Sequence, residues 1–373
     1  MKIEQNQQKR VLISPLNWGL GHASRLIPVI TELDKLGHKV IIAAEGTALQ
    51  LLQKEFPGFY FFNLKGYKIR YSRVIPLALK IFLLTPRILF GIRKEHYVLK
   101  QLINEFMIDI VISDNRFGMW SKKAYSVYIT HQIKIKTPKV LVFLRPFLSL
   151  MNRYYIKKYN ECWIPDYYTD PSLAGDLSHP AKLPQNTKYV GLLSRFTMTS
   201  INKIEFPAYD ILIILSGPEP QRSIFERKIC KQLKNITHKV LLVRGMPNKK
   251  FIKSNAMVDV KDHLNANEMK SAILNAKYII SRAGFSTIMD LIALKRNAIL
   301  IPTPGQTEQE YLAEYYHEKS VFYSVKQKKF NLETALKKSA SCVKIIDIPE
   351  INYDYLTFNN LFNNSNNEGT GID

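Results

Sequence analysis

Residues 10–44 read RVLISPLNWGLGHASRLIPVITELDKLGHKVIIAA, and this stretch decides the fold. Arg10–Ser14 is a short β-rich run, after which apolar residues recur at helical spacing from Ile27 to Leu36. A second continuous apolar run follows at Lys39–Ala44. Apolar strands joined by a helix are typical of a parallel sheet that is covered on both faces. The sequence therefore predicts a doubly wound α/β domain.

The same pattern continues along the chain and then starts again. Further strands of the first series are predicted at Phe59–Asn63, Asp109–Ser113, Ser126–Thr130 and Glu161–Ile164. The polar stretch Ser194–Glu205 is interpreted as a linker. The second series consists of strands at Asp210–Leu215, Val240–Arg244, Lys277–Ile280 and Ala298–Ile301, with helices at Gln221–Leu233 and Phe285–Leu294.

The 373 residues are enough for two hydrophobic cores. We expect one domain over residues 1–195 and a second over 196–350. A C-terminal segment, 351–373, is expected to be disordered from about residue 359, where the sequence becomes rich in asparagine.

The net charge of +22 is concentrated in the first half of the chain, since residues 1–200 hold +16 of it. The stretch from Arg116 to Lys158 has ten basic residues and no acidic one. Such a surface attracts phosphate groups of a nucleic acid, an anionic lipid or a phosphorylated substrate. A lysine-rich solvated surface is the alternative interpretation.

The polar start Met1–Gln8 leaves no room for the apolar segment of a signal peptide, so a cytoplasmic protein is expected. The apolar stretches Val74–Ile92 and Val140–Met151 contain Lys or Arg, which indicates interfacial helices, or core helices with basic edges, rather than membrane spans. Three widely spaced cysteines, Cys162, Cys230 and Cys342, exclude a disulfide scaffold and a structural zinc site.

Three polar segments follow predicted strands. The first, residues 17–25 (NWGLGHASR), opens a helix, and its glycines let backbone approach an anion at the helix N-terminus. Alone, it also resembles a dinucleotide fingerprint, with Glu45 as the ribose ligand. The second, residues 281–290 (SRAGFSTIMD), is a strand-to-helix turn, and the third, residues 301–311 (IPTPGQTEQEY), is a polar loop.

Together these three segments resemble glycosyltransferase family 28, the family of the peptidoglycan N-acetylglucosaminyltransferase. The resemblance implies an α/β GT-B architecture, in which two Rossmann-like doubly wound domains face a central cleft. It places the donor nucleotide in the C-terminal domain and the acceptor on the N-terminal one.

The resemblance also implies roles for single residues. Asp290 stands where the family has a ribose-binding glutamate, and Gln309 and Glu310 stand where it has a glutamine pair on the donor sugar. Residues 216–219 (SGPE) replace a Gly/Ser-rich diphosphate loop, with Arg222 and Arg244 as the nearest cations. The donor-binding positions implied are Ser216, Gly217, Arg244, Arg282, Ala283, Gly284, Phe285, Ser286, Asp290, Gln306, Glu308, Gln309 and Glu310.

The acceptor-side loop is represented by Asn17, Gly19 and Gly21. His22 is the candidate general base, because a helix N-terminus favours a neutral imidazole that can accept a proton. By resemblance, Asp114 orients it. His131 is a competing base, and a His22 that only caps its helix is the structural alternative.

The chain has no D-x-D motif, so no metal and no cofactor beyond the nucleotide-sugar co-substrate are expected. We expect transfer from a UDP-sugar to a lipid-linked or cell-envelope glycan acceptor. The basic half would hold the enzyme peripherally at the inner face of the plasma membrane. Two alternatives remain: a sugar-nucleotide hydrolase or epimerase with this fold, and a basic nucleic-acid-binding protein. The basic segments are rich in Leu and Ile, which argues against a nucleic acid partner.

Overall fold

A computed structural model describes residues 8–66, 83–197, 206–246, 254, 256–342 and 344–349. The strands are β1 (Arg10–Pro15), β2 (Lys39–Ala44), β3 (Tyr60–Asn63), β4 (Ile110–Asp114), β5 (Tyr125–Ile129), β6 (Glu161–Ile164), β7 (Thr187–Tyr189), β8 (Ile211–Ile214), β9 (Val240–Val243), β10 (Val258–Lys261), β11 (Tyr278–Ser281), β12 (Ile299–Leu300) and β13 (Tyr323–Ser324).

The α-helices are α1 (Leu20–Lys35), α2 (Gly46–Glu55), α3 (Thr85–Phe106), α4 (Arg145–Ile156), α5 (Gln221–Gln232), α6 (Ala266–Asn275), α7 (Phe285–Ala293), α8 (Thr307–Glu318) and α9 (Leu332–Ser339). Short 3-10 turns occupy Lys139–Leu144, Gly175–Leu177 and Gln327–Lys329.

The strands form two parallel sheets, ordered β3-β2-β1-β4-β5-β6-β7 and β10-β9-β8-β11-β12-β13. In each sheet the strand order reverses once, between β1 and β4 and between β8 and β11. Ligands of doubly wound sheets bind at such switch points, outside the carboxyl ends of the strands. The topology therefore selects the loops after these four strands as the place for a site. The predicted α/β fold of two doubly wound halves is confirmed.

Both sheets are buried on both faces, as their continuous apolar strands predict. In β1, Val11 and Ile13 pack with α1 on one face, while Leu12 packs with α3 on the other. In β8, Leu212 and Ile213 divide between two clusters in the same way. Side chains alternate along a strand, so each strand contributes to two cores.

The two sheets are joined by direct contacts across the cleft. Ser286 Oγ in α7 donates to the carbonyl oxygen of Gly21 at 2.8 Å. Away from the cavity, the segment after β6 packs into the core of the second sheet, where the Tyr316 hydroxyl in α8 donates to the carbonyl oxygen of Leu173 at 2.6 Å. Gly21 has little room there, because an added Cβ would lie 2.9 Å from Ser286 Oγ. These contacts hold the cleft narrow.

Most predicted strands are found within one or two residues of their predicted bounds. β7, β10 and β13 were not predicted, because each is short and contains polar residues. Some predictions lie outside the described residues. They are the predicted disordered tail as a whole, and parts of the predicted segments Val74–Ile92 and Ser194–Glu205. The domain boundary at residues 195 and 196 stays a prediction. Within the described ranges, the helices are too short or too polar to cross a membrane.

Candidate active site

At the N-terminal switch point, His22 in the first turn of α1 meets Asp114 at the end of β4. His22 Nδ1 lies 2.8 Å from Asp114 Oδ1, and the carboxylate side chain is fully buried whereas the imidazole is 19% exposed. Because an ionised carboxylate only accepts hydrogen bonds, Nδ1 carries the proton and donates it to Asp114. The imidazole lines the cleft cavity, and in the neutral ring this tautomer leaves the Nε2 lone pair available as a base.

Arg25, one turn further along α1, holds the same carboxylate. Its Nε and Nη2 donate to both oxygens of Asp114. Burial by itself raises the pKa of Asp114, but the charges and hydrogen bonds of Arg25 and His22 outweigh it and keep this pKa below its usual value. Asp114 is therefore an ionised and immobile partner for His22.

His131, after β5, continues this network across the cleft. Its Nδ1 accepts from Arg25 Nη1 at 3.1 Å, so the proton sits on Nε2, which donates to Glu308 Oε1 at 2.7 Å. Burial lowers the pKa of His131 and keeps the ring neutral. The ring also stacks on Phe285, with centroids 4.1 Å apart. Gln132 Nε2 donates to the other oxygen of Glu308 at 2.5 Å.

On the C-terminal side, most predicted donor residues line one cavity of about 440 Å³ in the cleft. Gly217 has φ +97° there, a left-handed conformation that glycine adopts without strain. The N-terminus of α7 opens toward the same cavity at Phe285, and no described side chain caps it. The predicted site residues that line the cavity are Gly19, Gly21, His22, Ser216, Gly217, Gly284, Phe285, Ser286, Asp290, Gln306, Glu308 and Gln309.

Asp290 lines the cavity but already has protein partners. It accepts from Ser194 Oγ at 2.6 Å and from Arg195 Nε at 3.3 Å. Burial raises its pKa, opposed by Arg195 and Ser194. The carboxylate therefore joins α7 to the segment that follows the first sheet, and its predicted contact with a ribose stays a prediction.

Among the described residues, six predicted site positions lie outside the cavity lining: Asp114, which supports His22 from below the cavity surface, and five others whose contacts follow. Arg244 Nε donates to Glu226 at 2.6 Å. Arg282 donates to the carbonyl oxygens of Ile301 and Gln221, and its guanidinium lies over the Phe225 ring. The remaining three are Ala283, which is fully buried, Glu310, which accepts from the Gly305 N–H at 3.1 Å, and Asn17, which accepts from Thr47.

Arg244 binds Glu226 and Asp262, and Arg282 binds two backbone carbonyl oxygens. Their predicted roles in donor binding stay predictions. Arg222, the other cation considered, is bound to Glu219 and Glu226. In the described part of the chain, the uncapped N-terminus of α7 is one electropositive element that faces the cavity.

Sequence reasoning missed Arg25 and Gln132. Arg25 follows His22 by three residues, so helical spacing alone places both on one face of α1. Its burial and its pairing with Asp114, 89 positions away, depend on the packing of the sheet. Gln132 is adjacent to His131, and no motif in the sequence indicates that it belongs to the site.

Two family models and one relative match this chain. Residues 219–343 match the family model of the glycosyltransferase family 28 C-terminal domain, and residues 10–141 match that of glycosyl transferase family 1. An uncharacterized glycosyltransferase of Methanosarcina acetivorans is 23% identical over 327 residues, 83% of each chain.

Solved structures share the fold at low identity. The glycosyltransferase SnogD from Streptomyces nogalater has a TM-score of 0.57 at 12% identity, over 95% of this chain and 100% of that one. MurG from Acinetobacter baumannii has a TM-score of 0.52 at 11% identity, over 98% of this chain and 96% of that one.

Two Rossmann-like sheets whose switch points face one cleft define the GT-B fold. The two family matches and the relative show that the protein is a glycosyltransferase, and its residues 219–343 match the family 28 C-terminal domain. The predicted resemblance is confirmed. The matches do not favour a hydrolase, an epimerase or a nucleic-acid-binding protein.

Proposed function

We propose that the protein transfers a sugar from a UDP-sugar to a hydroxyl group of a lipid-linked or cell-envelope glycan acceptor, without a metal ion. The observation that carries the proposal is the His22–Asp114 pair, which shares one cavity with the uncapped N-terminus of α7. One side of the cleft thus offers a proton acceptor, and the other offers a site for developing negative charge.

In the proposed reaction, His22 Nε2 takes the proton of the acceptor hydroxyl as its oxygen attacks the anomeric carbon. The bond between this carbon and the diphosphate oxygen breaks, and the diphosphate leaves with the electron pair. The N–H groups at the start of α7 and the backbone of residues 216–218 would meet its charge. Asp114 fixes the His22 tautomer and stabilises the imidazolium that forms.

The donor site in this proposal runs along the carboxyl ends of β8, β9 and β11. Leu264 and Met269 make one wall of the cavity apolar, as a nucleobase needs, and Glu308 and Gln309 are placed for the sugar hydroxyls. Trp18 lines the facing wall, and its indole Nε1 is buried without a hydrogen-bond partner among the described residues. A sugar or acceptor oxygen would satisfy this donor.

Peripheral binding to an anionic membrane is proposed from the surface of α3 and residues 140–154. Phe90, Phe143 and Leu150 are each about 70% exposed there. Arg87, Arg93 and Lys94 are exposed on α3, and Lys157 is exposed directly after α4. Cations at an anionic surface contribute on the order of 1 kcal/mol each, in addition to the apolar contacts.

The test is transfer of radiolabel from UDP-sugars to isolated membranes, with UDP binding followed by calorimetry. We expect His22→Ala to abolish transfer and to retain UDP binding, while His317→Ala, on the exposed face of α8, remains fully active. Label that is released as free sugar without an acceptor would indicate a hydrolase instead. Activity that is lost in EDTA and restored by Mg²⁺ would overturn the metal-independent reaction.

A further inference from the structure

Two carboxylates line the cleft cavity in the described part of the chain, Asp290 in α7 and Glu308 in α8. A carboxylate is a strong acceptor for the hydroxyl groups of a sugar, because hydrogen bonds to an ionised group are roughly twice as strong as those between neutral groups. Which hydroxyls of a nucleotide-sugar the cavity selects therefore depends on how these two side chains are placed.

The two carboxylates differ in how far they open into the cavity. The side chain of Glu308 is 29% exposed, although His131 and Gln132 both donate to it. The side chain of Asp290 is only 10% exposed. Glu308 can therefore accept a further hydrogen bond from a ligand, whereas Asp290 offers little accessible surface.

The protein itself supplies a donor to each oxygen of Asp290. Ser194 Oγ donates to Oδ1 at 2.6 Å, and Arg195 Nε donates to Oδ2 at 3.3 Å. A site rejects a ligand that lacks a hydroxyl mainly because a buried polar group is then left unpaired. A nucleotide without the ribose 2′-hydroxyl leaves neither oxygen of Asp290 unpaired, so this carboxylate gives no reason to reject it.

The segment that supplies these donors is fixed on both sides. Ser194 is fully buried. Leu193 packs in the core of the first sheet, and Leu192 and Phe196 pack in the core of the second. Because close-packed cores resist displacement, moving Ser194 away from Asp290 would disturb both of them. A ribose hydroxyl therefore cannot easily take the place of Ser194.

From these observations we infer that the donor site does not select for the ribose 2′-hydroxyl, so that it takes sugars linked to 2′-deoxyribonucleotides as well as UDP-sugars. Asp290 then acts as a clamp between α7 and residues 194–195, and Glu308 is the carboxylate that is left for the transferred sugar. The apolar wall at Leu264 and Met269 still receives the base. This inference rests on the proposed function and specifies its donor.

The experiment compares UDP with 2′-deoxy-UDP, which differ only in this hydroxyl, as ligands of the purified full chain in titration calorimetry. A hydrogen bond from the 2′-hydroxyl to a carboxylate would favour UDP by roughly tenfold to a hundredfold. We expect the two dissociation constants to differ by less than about fivefold, because no charged group accepts from this hydroxyl. A larger preference for UDP in the wild-type protein would overturn the inference.

Ser194→Ala provides a second measurement. It removes the donor to Asp290 Oδ1, and a ribose hydroxyl can then satisfy this buried oxygen, so the preference for UDP should rise above about fivefold. The matched control is Ser341→Ala, because this exposed serine follows α9 and donates to the carbonyl oxygen of Lys338. It should keep the wild-type ratio of dissociation constants. An unchanged ratio in a folded Ser194→Ala variant would overturn the clamp as the reason for the missing selection.

These outcomes are distinguishable from a failure of the proposed function. If UDP binds and 2′-deoxy-UDP binds much more weakly, only the inference fails, and the proposed transferase stands. If neither nucleotide binds, the proposed function itself fails, and the inference fails with it.

Discussion

Replacing Asp114 by asparagine tests whether the buried carboxylate serves catalysis or only the fold. In Asp114→Asn, the side-chain amide would face both Arg25 and His22, which are donors to the present carboxylate. An asparagine N–H next to His22 Nδ1 favours the wrong tautomer, with the proton on Nε2. Because a positioned base contributes about 10²–10⁴ in rate, kcat should fall by a factor in this range.

The same substitution also has a cost in stability, because the guanidinium of Arg25 is only 2% exposed and loses its charged partner. Breaking a buried pair by removing one partner costs about 3–5 kcal/mol. At about 2–4 °C per kcal/mol for a domain of this size, Tm should fall by on the order of 10 °C. Lower activity of Asp114→Asn alone would therefore not separate the two roles.

A double variant separates them. Arg25→Met with Asp114→Asn removes both buried charges, so Tm should recover most of the loss, whereas kcat should stay low because His22 still lacks its carboxylate. The assay is sugar transfer under saturating UDP-sugar, with Tm from scanning calorimetry on the same samples. Recovery of kcat together with Tm would refute a catalytic role for Asp114 and reduce it to a structural one.

Three further predictions concern the contacts across the cleft. Gly21→Ala should lower kcat/KM several-fold, because its Cβ would lie 2.9 Å from Ser286 Oγ and push the two sides of the cleft apart. Ser286→Ala in the same chain removes this clash and should restore most of the activity, and an unchanged kcat/KM in the single variant would contradict the contact. Glu308→Gln should raise the KM for the UDP-sugar about tenfold, since one charged acceptor becomes neutral, and an equal KM in steady-state kinetics would exclude Glu308 from the sugar site. Because burial lowers the pKa of His131 in the folded state, the unfolded chain binds the extra proton and stability falls as pH drops below about 6.5. His131→Gln should flatten this decline by up to about 1.4 kcal/mol per pH unit in urea titrations, and parallel curves for the two proteins would contradict it.

Much of the fold could be predicted from the sequence because parallel strands buried on both faces are continuous apolar runs. β2 (KVIIAA) and β9 (VLLV) have this pattern and were predicted within one residue. The edge strand β10 (VDVK) alternates apolar and polar residues over only four positions, and β13 has two residues. Such short segments become strands because they pair with the edge of a neighbouring strand. This tertiary contact cannot be predicted from the periodicity of apolar residues in the sequence.

The proximity of His22 and Asp114 could also be predicted, because β1 and β4 are neighbours at a switch point, Asp114 ends β4, and His22 stands in the first turn of the helix after β1. Arg244 and Arg282 show where this reasoning ends. Their positions next to a strand end are correct, but the direction of a long side chain depends on the partners that packing supplies. In the structure, Arg244 binds Glu226 in α5 and Arg282 binds the carbonyl oxygen of Ile301, and neither guanidinium lines the cavity.

Other parts of the site that the sequence did not predict are contacts between the two halves of the chain. His131 is held by Arg25 on one side and by Glu308 on the other, 177 positions away, and it stacks on Phe285 of the second domain. A change at Glu308 therefore reaches the His22–Asp114 pair through only two intervening side chains, His131 and Arg25. Arg25 donates to His131 Nδ1 and thereby sets its tautomer, so that Nε2 donates to Glu308 across the cleft. Opening the cleft would free Glu308 from both His131 and Gln132, whereas His22 and Asp114 would stay joined, because both belong to elements of the first sheet. The proposed base and the proposed sugar-binding carboxylate are thus linked through Arg25 and His131.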